Sequence, residues 1–95
     1  MLIENSKTKN TIVSLKLVTG DEVVGKIVDD SETHLTISKP LTVMMSDKGL
    51  AMLPFMISVS ADEKVILQKQ HCVCTSKPVN EVEKHYIQIT TGITL

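Results

Sequence analysis

The sequence predicts a mainly β protein in which five strongly bent antiparallel strands form a small barrel followed by a C-terminal helix. Thirty of the 95 residues are Val, Ile or Thr, the β-branched types that favour strands over helices. Apolar and polar residues alternate along most of the chain, and short polar turns separate the alternating runs. We expect one domain, 1–95, with the barrel over about residues 11–76 and a helical extension over about residues 78–92.

The first two predicted strands form a hairpin. Thr11–Thr19 alternates between apolar and polar residues, Gly20 begins a tight turn, and Glu22–Asp29 repeats the alternation. Gly25 falls in the middle of the second strand, where a missing side chain usually marks a bend or the close approach of another backbone. Strong bending of this kind is what a small barrel requires.

The next three strands complete the predicted sheet. They are His34–Ser46, Leu50–Val59 and Lys64–Thr75. Pro40 cannot donate to a ladder, so we expect a bulge or edge position that divides the third strand in two. The fourth strand is nearly continuous apolar sequence, so it is either an interior strand buried on both faces or an edge strand covered by another protomer.

The C-terminal segment changes period. Its apolar residues recur at intervals of three and four, which is typical of a helix, and Asn80 with Glu83 resembles an N-terminal capping pair. Gly92 is a natural helix stop. Residues 86–91 also alternate as a strand would, so the pattern alone leaves helix and strand open, and we predict the helix.

The charges of the chain argue against a general affinity for polyanions. All ten basic residues are Lys, none is Arg, and the formal net charge is −1. The planar fork that recognises phosphate and guanine in two places at once is therefore missing. No apolar run approaches the length of a membrane helix and the start lacks a secretory pattern, so we expect a cytoplasmic protein without a membrane partner.

The region from Ile12 to Ile37 resembles the first motif of Sm-like proteins, the family of the bacterial Hfq and the archaeal and eukaryotic Lsm rings. In that motif, alternating apolar residues lead to a Gly, a second Gly follows five positions later, and an apolar residue, an acidic turn and an Asn complete it. The matching positions here are Val13, Leu15, Leu17, Gly20, Gly25, Ile27, Asp29 and Asp30, with His34 in place of the Asn and a turn one residue shorter. The chain looks closest to divergent, bacteriophage-encoded members.

The resemblance implies an SH3-like barrel, assembly into a homo-oligomeric ring, and binding of single-stranded RNA. In the family, the fourth strand of one protomer pairs with the fifth of the next. The assembly edge is therefore expected at Phe55, Ile57, Val59, Val65 and Leu67. The resemblance also places an RNA-base site near the ring's pore, for which the candidates in this chain are Asp30, Ser31, His34 and Ser60.

The chain departs from the family's second motif. The family ends its fourth strand with an apolar residue followed by Arg-Gly or Lys-His, whereas Val59 is followed here by Ser60, Ala61 and two acidic residues. Carboxylates repel phosphates, so two functions stay open. One is an RNA-binding or RNA-chaperone module, in which His34 stacks on a base. The other is a ring-forming structural or protein-interaction module that has lost RNA binding, with His34 an ordinary polar residue at a strand start.

The remaining reactive residues predict no catalysis, cofactor, metal site or small-molecule substrate. On a strand, Cys72 and Cys74 would point to the same face about 7 Å apart, which is poor disulfide geometry. His71 and Cys72 would face opposite sides, so we expect reduced thiols and no zinc. The acidic turn 29–32 is most simply solvated, with weak binding of a divalent ion as the alternative. The methionines 44, 45, 52 and 56 are expected to fill a core or a subunit interface.

Overall fold

The computed structural model describes residues 11–60 and 62–92 and contains six strands, one 3-10 turn and one α-helix. The mainly β class, the antiparallel sheet and the C-terminal helix are confirmed. The elements are β1 (Ile12–Leu17), β2 (Glu22–Asp30), β3 (His34–Ser46), β4 (Gly49–Pro54), β5 (Lys64–Gln68), a 3-10 turn (Lys69–His71), β6 (Cys72–Ser76) and α1 (Asn80–Thr91).

The strands form one antiparallel sheet in the order β4-β3-β2-β1-β6, and β5 also pairs with β3. The first half of β3 pairs with β5, from His34 opposite Gln68 to Ser38 opposite Lys64. The second half pairs with β4. No pairing between β5 and β6 occurs in the described part of the chain, so the sheet is not closed by hydrogen bonds.

The change of partner along β3 occurs at a bend near Pro40, where the sequence predicts a bulge or an edge position. The register shift supports the bulge, but β3 runs unbroken from His34 to Ser46 and is not divided in two. Lys39 has a φ of 50°, and the register between β2 and β3 shifts opposite Gly25. A Cβ atom on Gly25 would lie 2.2 Å from Cγ2 of Ile37 and 3.5 Å from Cα of Pro40. Gly25 therefore allows the close approach of β2 and β3 that the bend requires.

The core has two parts, one on each face of the sheet. The concave face buries Leu15, Ile27, Leu35 and Ile37 against one another. On the opposite face, α1 packs Tyr86 against residues of β2 and β3, namely Val24 and Leu41. Because the helix covers this second face, β2 is buried on both sides at Val23 and Val24.

The helix ends as the sequence predicts but begins differently. Gly92 has a φ of 79°, and its amide donates to the carbonyl of Gln88, which is the left-handed cap that glycine favours. At the other end, Val79 is the N-cap and makes no side-chain cap hydrogen bond, so Asn80 is already helical. Glu81 and Glu83 lie in the first turn, where the helix dipole favours negative charge.

Two predicted strand boundaries are wrong. The fourth strand ends at Pro54 rather than Val59, and the assembly candidates Phe55, Ile57 and Val59 lie in the loop that follows. The fourth strand is an edge of the sheet, which excludes an interior strand buried on both faces. Its proline cannot donate an amide, and the chain leaves the ladder there.

The predicted fifth strand is two strands. The 3-10 turn at residues 69–71 separates β5 from β6, because β5 pairs with β3 whereas β6 pairs with β1. Between these two pairings, the chain must pass from the β3 side of the sheet to the β1 side. The assembly candidates Val65 and Leu67 lie in β5, where both side chains are half-buried.

Candidate functional site

The β2–β3 turn and the 3-10 turn meet and border an open pocket of about 460 Å³. His34 is the first residue of β3 and lies opposite Gln68, the last residue of β5. The turn before β3 and the 3-10 turn after β5 carry the pocket's other polar groups. The pocket is lined by Glu32, Thr33, His34, Gln68, Lys69 and Gln70.

The β2–β3 turn is held by hydrogen bonds of its own side chains. The Ser31 hydroxyl accepts from the His34 amide at 3.0 Å and lies 3.2 Å from the His34 carbonyl. The Thr33 hydroxyl lies 2.6 Å from Nδ1 of His34. The Ser31 contacts hold the backbone of His34, and the Thr33 contact restrains its imidazole. His34 is exposed to solvent, so a ligand can reach the ring.

Two contacts join the β2–β3 turn to the 3-10 turn. The Lys69 amide donates to the Thr33 carbonyl at 2.9 Å, and the Lys69 ammonium forms an ion pair with Asp30. The Asp30 side chain is 13% exposed and that of Lys69 is 39% exposed. The cation that lines the pocket with His34 is therefore already engaged by Asp30.

The two glutamines present hydrogen-bonding groups beside the imidazole. Nε2 of Gln70 donates to Oε1 of Gln68 at 2.9 Å. A carboxamide has two donor hydrogens and an acceptor oxygen, so the pair still offers the Gln68 amino group and the Gln70 oxygen. A donor beside an acceptor is the pattern that the edge of a nucleobase requires.

The structure brings together three of the four residues predicted for RNA binding. Asp30, Ser31 and His34 lie within the same turn, whereas Ser60 lies in a different small pocket with residues such as Pro40, Pro54 and Val65. The strand that ends beside His34 is β5, so the position opposite His34 belongs to Gln68–Gln70 and not to Ser60. Gln68, Lys69 and Gln70 are site residues that the sequence analysis missed.

A larger cleft of about 810 Å³ opens on the concave face of the sheet. Its lining includes the apolar residues Val13, Ile27 and Leu35, and both cysteines border it. Cys72 is half-buried, Cys74 is exposed and both thiols are free. Burial raises the pKa of the Cys72 thiol, and the charge of nearby Lys69 opposes that effect. The Cys72 thiol is therefore a weak nucleophile near neutral pH.

The described residues bring together no group of three or more His, Cys, Asp or Glu side chains with metal-binding geometry. Among the same residues, no helix has the length and apolar character needed to cross a membrane. Neither observation assigns a function.

Comparison with known proteins adds no assignment, since no family model matches the chain and no curated protein matches it.

Proposed function

We propose that the chain is an Sm-like protein that binds single-stranded RNA by holding one base in the pocket beside His34. The observation that carries the proposal is the junction of the β2–β3 turn with the 3-10 turn, tied by the Lys69 amide and the Lys69–Asp30 ion pair. Single-stranded RNA is commonly recognised by stacking an unpaired base and hydrogen-bonding its edge. His34 supplies the ring, and Gln68 and Gln70 supply the edge contacts.

The proposed Sm-like, SH3-like barrel is supported by the course of the strands. β3 bends at Lys39 and pairs with two successive strands, β5 and β4. β1 pairs with both β2 and β6, so the first and last strands are neighbours. A five-strand barrel needs both features, with β4 and β5 together in the place of one long fourth strand.

Ring assembly follows from the same proposal. In the described sheet, β5 and β6 each pair on one side only, with β3 and β1 respectively. Ile66 of β5 is 66% exposed and Val73 of β6 is 63% exposed. An exposed apolar edge strand invites pairing with another chain. We propose that β5 of one protomer pairs with β6 of the next, the arrangement that the family resemblance implies.

Lys69 provides support for the RNA proposal that does not depend on the departure at Ser60. The family resemblance implies a basic residue after the fourth strand, and Lys69 immediately follows β5. Its amide contacts the turn that bears His34. Because Asp30 holds the ammonium, we expect phosphate attraction to be weak and the base contacts to supply most of the affinity.

A second function is favoured by the acidic character of the same turn. The turn carries three acidic residues, Asp29, Asp30 and Glu32. Glu32 lines the pocket, and Asp30 forms an ion pair with Lys69. Such a site repels phosphate. The alternative is a ring-forming structural or protein-interaction module in which the pocket holds no nucleic acid.

Binding of fluorescein-labelled U-rich and A-rich oligonucleotides at low salt tests the function. We expect anisotropy to report binding of at least one oligonucleotide and His34→Ala to weaken it about 5- to 150-fold, since stacking of a base is worth about 1–3 kcal/mol. His85→Ala is the matched control, because His85 is exposed on α1. No binding of either oligonucleotide would refute the RNA function.

Light scattering tests ring assembly separately. We expect a particle several times heavier than the 10.5 kDa chain, and Ile66→Lys should reduce its mass by blunting the β5 edge. A monomer at micromolar concentration would contradict ring assembly. An oligomer without RNA affinity would favour the structural module.

A further inference from the structure

β4 is a terminal strand of the sheet with one side unpaired among the described residues. It joins β3 through a two-residue turn, with Ser46 opposite Gly49 and Thr42 opposite Leu53. The amide of Phe55, just after the strand, donates to the Pro40 carbonyl of β3 at 3.1 Å. In an antiparallel pair, successive residues direct their backbone groups alternately to the two sides. The backbone amide of Phe55 points toward β3. The residues at positions of the opposite parity therefore direct their backbone groups to the free edge.

The residues with outward backbone groups are therefore Leu50, Met52 and Pro54. Leu50 and Met52 each present an N–H and a C=O, and Pro54 presents only a C=O because it has no amide hydrogen. Leu50 and Met52 therefore each offer one hydrogen-bond donor and one acceptor at the free edge. A short strand could add to this edge with a full set of hydrogen bonds between positions 50 and 52.

The hairpin that forms this edge is apolar and almost uncharged. Between residues 40 and 60 the chain has two charged side chains, Asp47 and Lys48, and both lie in the turn of the hairpin. Met44, Met45 and Leu53 are 44%, 75% and 50% exposed. Proteins usually blunt an exposed edge with lysine or an inward-pointing charge, and no such charge lies within β4.

We propose that β4 pairs with β4 of a second copy of this chain, antiparallel across a twofold axis. A twofold pairing brings two copies of the same strand side by side, so a charge in the strand would be repeated on the neighbouring copy and oppose association. The absence of charge from residues 49–54 removes that obstacle. The proposal is independent of RNA binding, and it uses an edge other than the β5 and β6 edges proposed for the ring.

The backbone groups favour a register centred on Ala51. Leu50 then lies opposite Met52 of the second copy, and Met52 opposite Leu50 of the second copy, which allows four hydrogen bonds. Pro54 falls beyond this set and needs no donor. Ala51 faces its own copy at a non-hydrogen-bonded position, where Cα atoms are about 4.5 Å apart. The small side chain of Ala51 suits that close contact.

Cysteine cross-linking tests this register. In a Cys72→Ser, Cys74→Ser background, we expect Ala51→Cys to form a disulfide-linked dimer under mild oxidation, because about 4.5 Å lies within the Cα range of a disulfide. Thr91→Cys, exposed on α1, is the matched control and should remain monomeric on non-reducing gels. Equal cross-linking of the two variants would overturn the proposal.

A charge in the edge strand gives a second readout. Leu53→Lys should halve the particle mass measured by light scattering, whether the wild-type particle is a dimer or a pair of rings. Circular dichroism establishes that the variant is folded. An unchanged mass in the folded variant would overturn β4 pairing, whereas loss of mass in Ile66→Lys alone would assign all assembly to the β5 edge and overturn it too.

Discussion

The hydroxyl of Tyr86 lies 3.0 Å from the carbonyl oxygen of Lys39, which is the one non-glycine residue with positive φ in the described part of the chain. The same hydroxyl lies 3.0 Å from the carbonyl of Ser38. The Lys39 ammonium in turn donates to the Thr90 carbonyl at 3.2 Å. The helix therefore stabilises the bend of β3 in two ways. Tyr86 of the helix donates to backbone carbonyls at the bend, and Lys39 at the bend donates to a carbonyl of the helix.

Removal of the Tyr86 hydroxyl should destabilise the protein. Tyr86→Phe keeps the packing of the ring but leaves the Ser38 and Lys39 carbonyls without this donor, so we expect a loss of about 1–2 kcal/mol. Urea unfolding followed by circular dichroism measures it. His85→Ala, on the exposed side of the helix, should change the stability by less than about 0.5 kcal/mol. Equal stability of wild type and Tyr86→Phe would contradict the proposed contribution.

Stability should fall at high pH because of the same tyrosine. Burial raises the pKa of Tyr86 to about 12 from the ordinary value of 10.0, so the folded protein keeps a proton that the unfolded chain loses. The stabilisation is fully present below pH 10 and is lost as pH rises from 10 to 12. Urea midpoints across this range should fall more steeply for wild type than for Tyr86→Phe. Parallel pH profiles would contradict this assignment.

A methyl group at position 25 should disrupt the bend of the sheet. Gly25→Ala would place its Cβ 2.2 Å from Cγ2 of Ile37, and we expect a loss of about 1–3 kcal/mol from the forced displacement. The cost should be smaller when Ile37→Ala has already removed Cγ2. A double-mutant cycle of unfolding free energies measures this coupling, and strict additivity would show that the clash is relieved elsewhere.

Release of Lys69 should make RNA binding more sensitive to salt. Asp30→Asn removes the charge that engages the Lys69 ammonium, so the cation becomes available to a phosphate. For single strands, each phosphate contact adds about 0.7 to the slope of log affinity against log salt. We expect that increase in anisotropy titrations at several salt concentrations. Asp62→Asn, in the loop before β5, should leave the slope unchanged. An unchanged slope for Asp30→Asn would argue against phosphate contact by Lys69.

The two thiols should differ in reactivity. Cys74 is exposed, whereas Cys72 is half-buried and its pKa is raised by burial. Since the thiolate is the reactive form, iodoacetamide should modify Cys74 first at pH 8. Peptide mass spectrometry after short reaction times measures both sites, and faster modification of Cys72 would contradict the structure.

The local pattern predicts the first hairpin, the bend at Pro40 and the C-terminal helix because each depends on short-range signals. Gly25 and the alternation around it lie within one hairpin, and the helix shows its period within twelve residues. The break between β5 and β6 has only a weak local signal. Polar residues run from Gln68 to His71, and the distant partners β3 and β1 require the chain to turn there.

The candidate site was partly predictable for the same reason. Asp30, Ser31 and His34 belong to one turn, so their proximity follows from the sequence. The partner of that turn depends on which strand ends opposite His34. A fourth strand that ended at Val59 would have placed Ser60 beside the turn. The register of β5 instead brings Gln68 and Lys69 beside it. The Gln-Lys-Gln run after an alternating strand was the available signal.

The strand pairings differ in the length of chain that separates the partners, and this difference suggests the order in which they form. β4 follows β3 after a two-residue turn, so that hairpin closes a short loop and can form early. Pairing of β5 with the first half of β3 needs a longer loop, and pairing of β6 with β1 joins residues from nearly opposite ends of the sheet's sequence. Loop closure of that length is slow. We therefore expect β6 to pair with β1 after the β3–β4 hairpin has formed, so the edges proposed to meet in the ring would be completed late in folding.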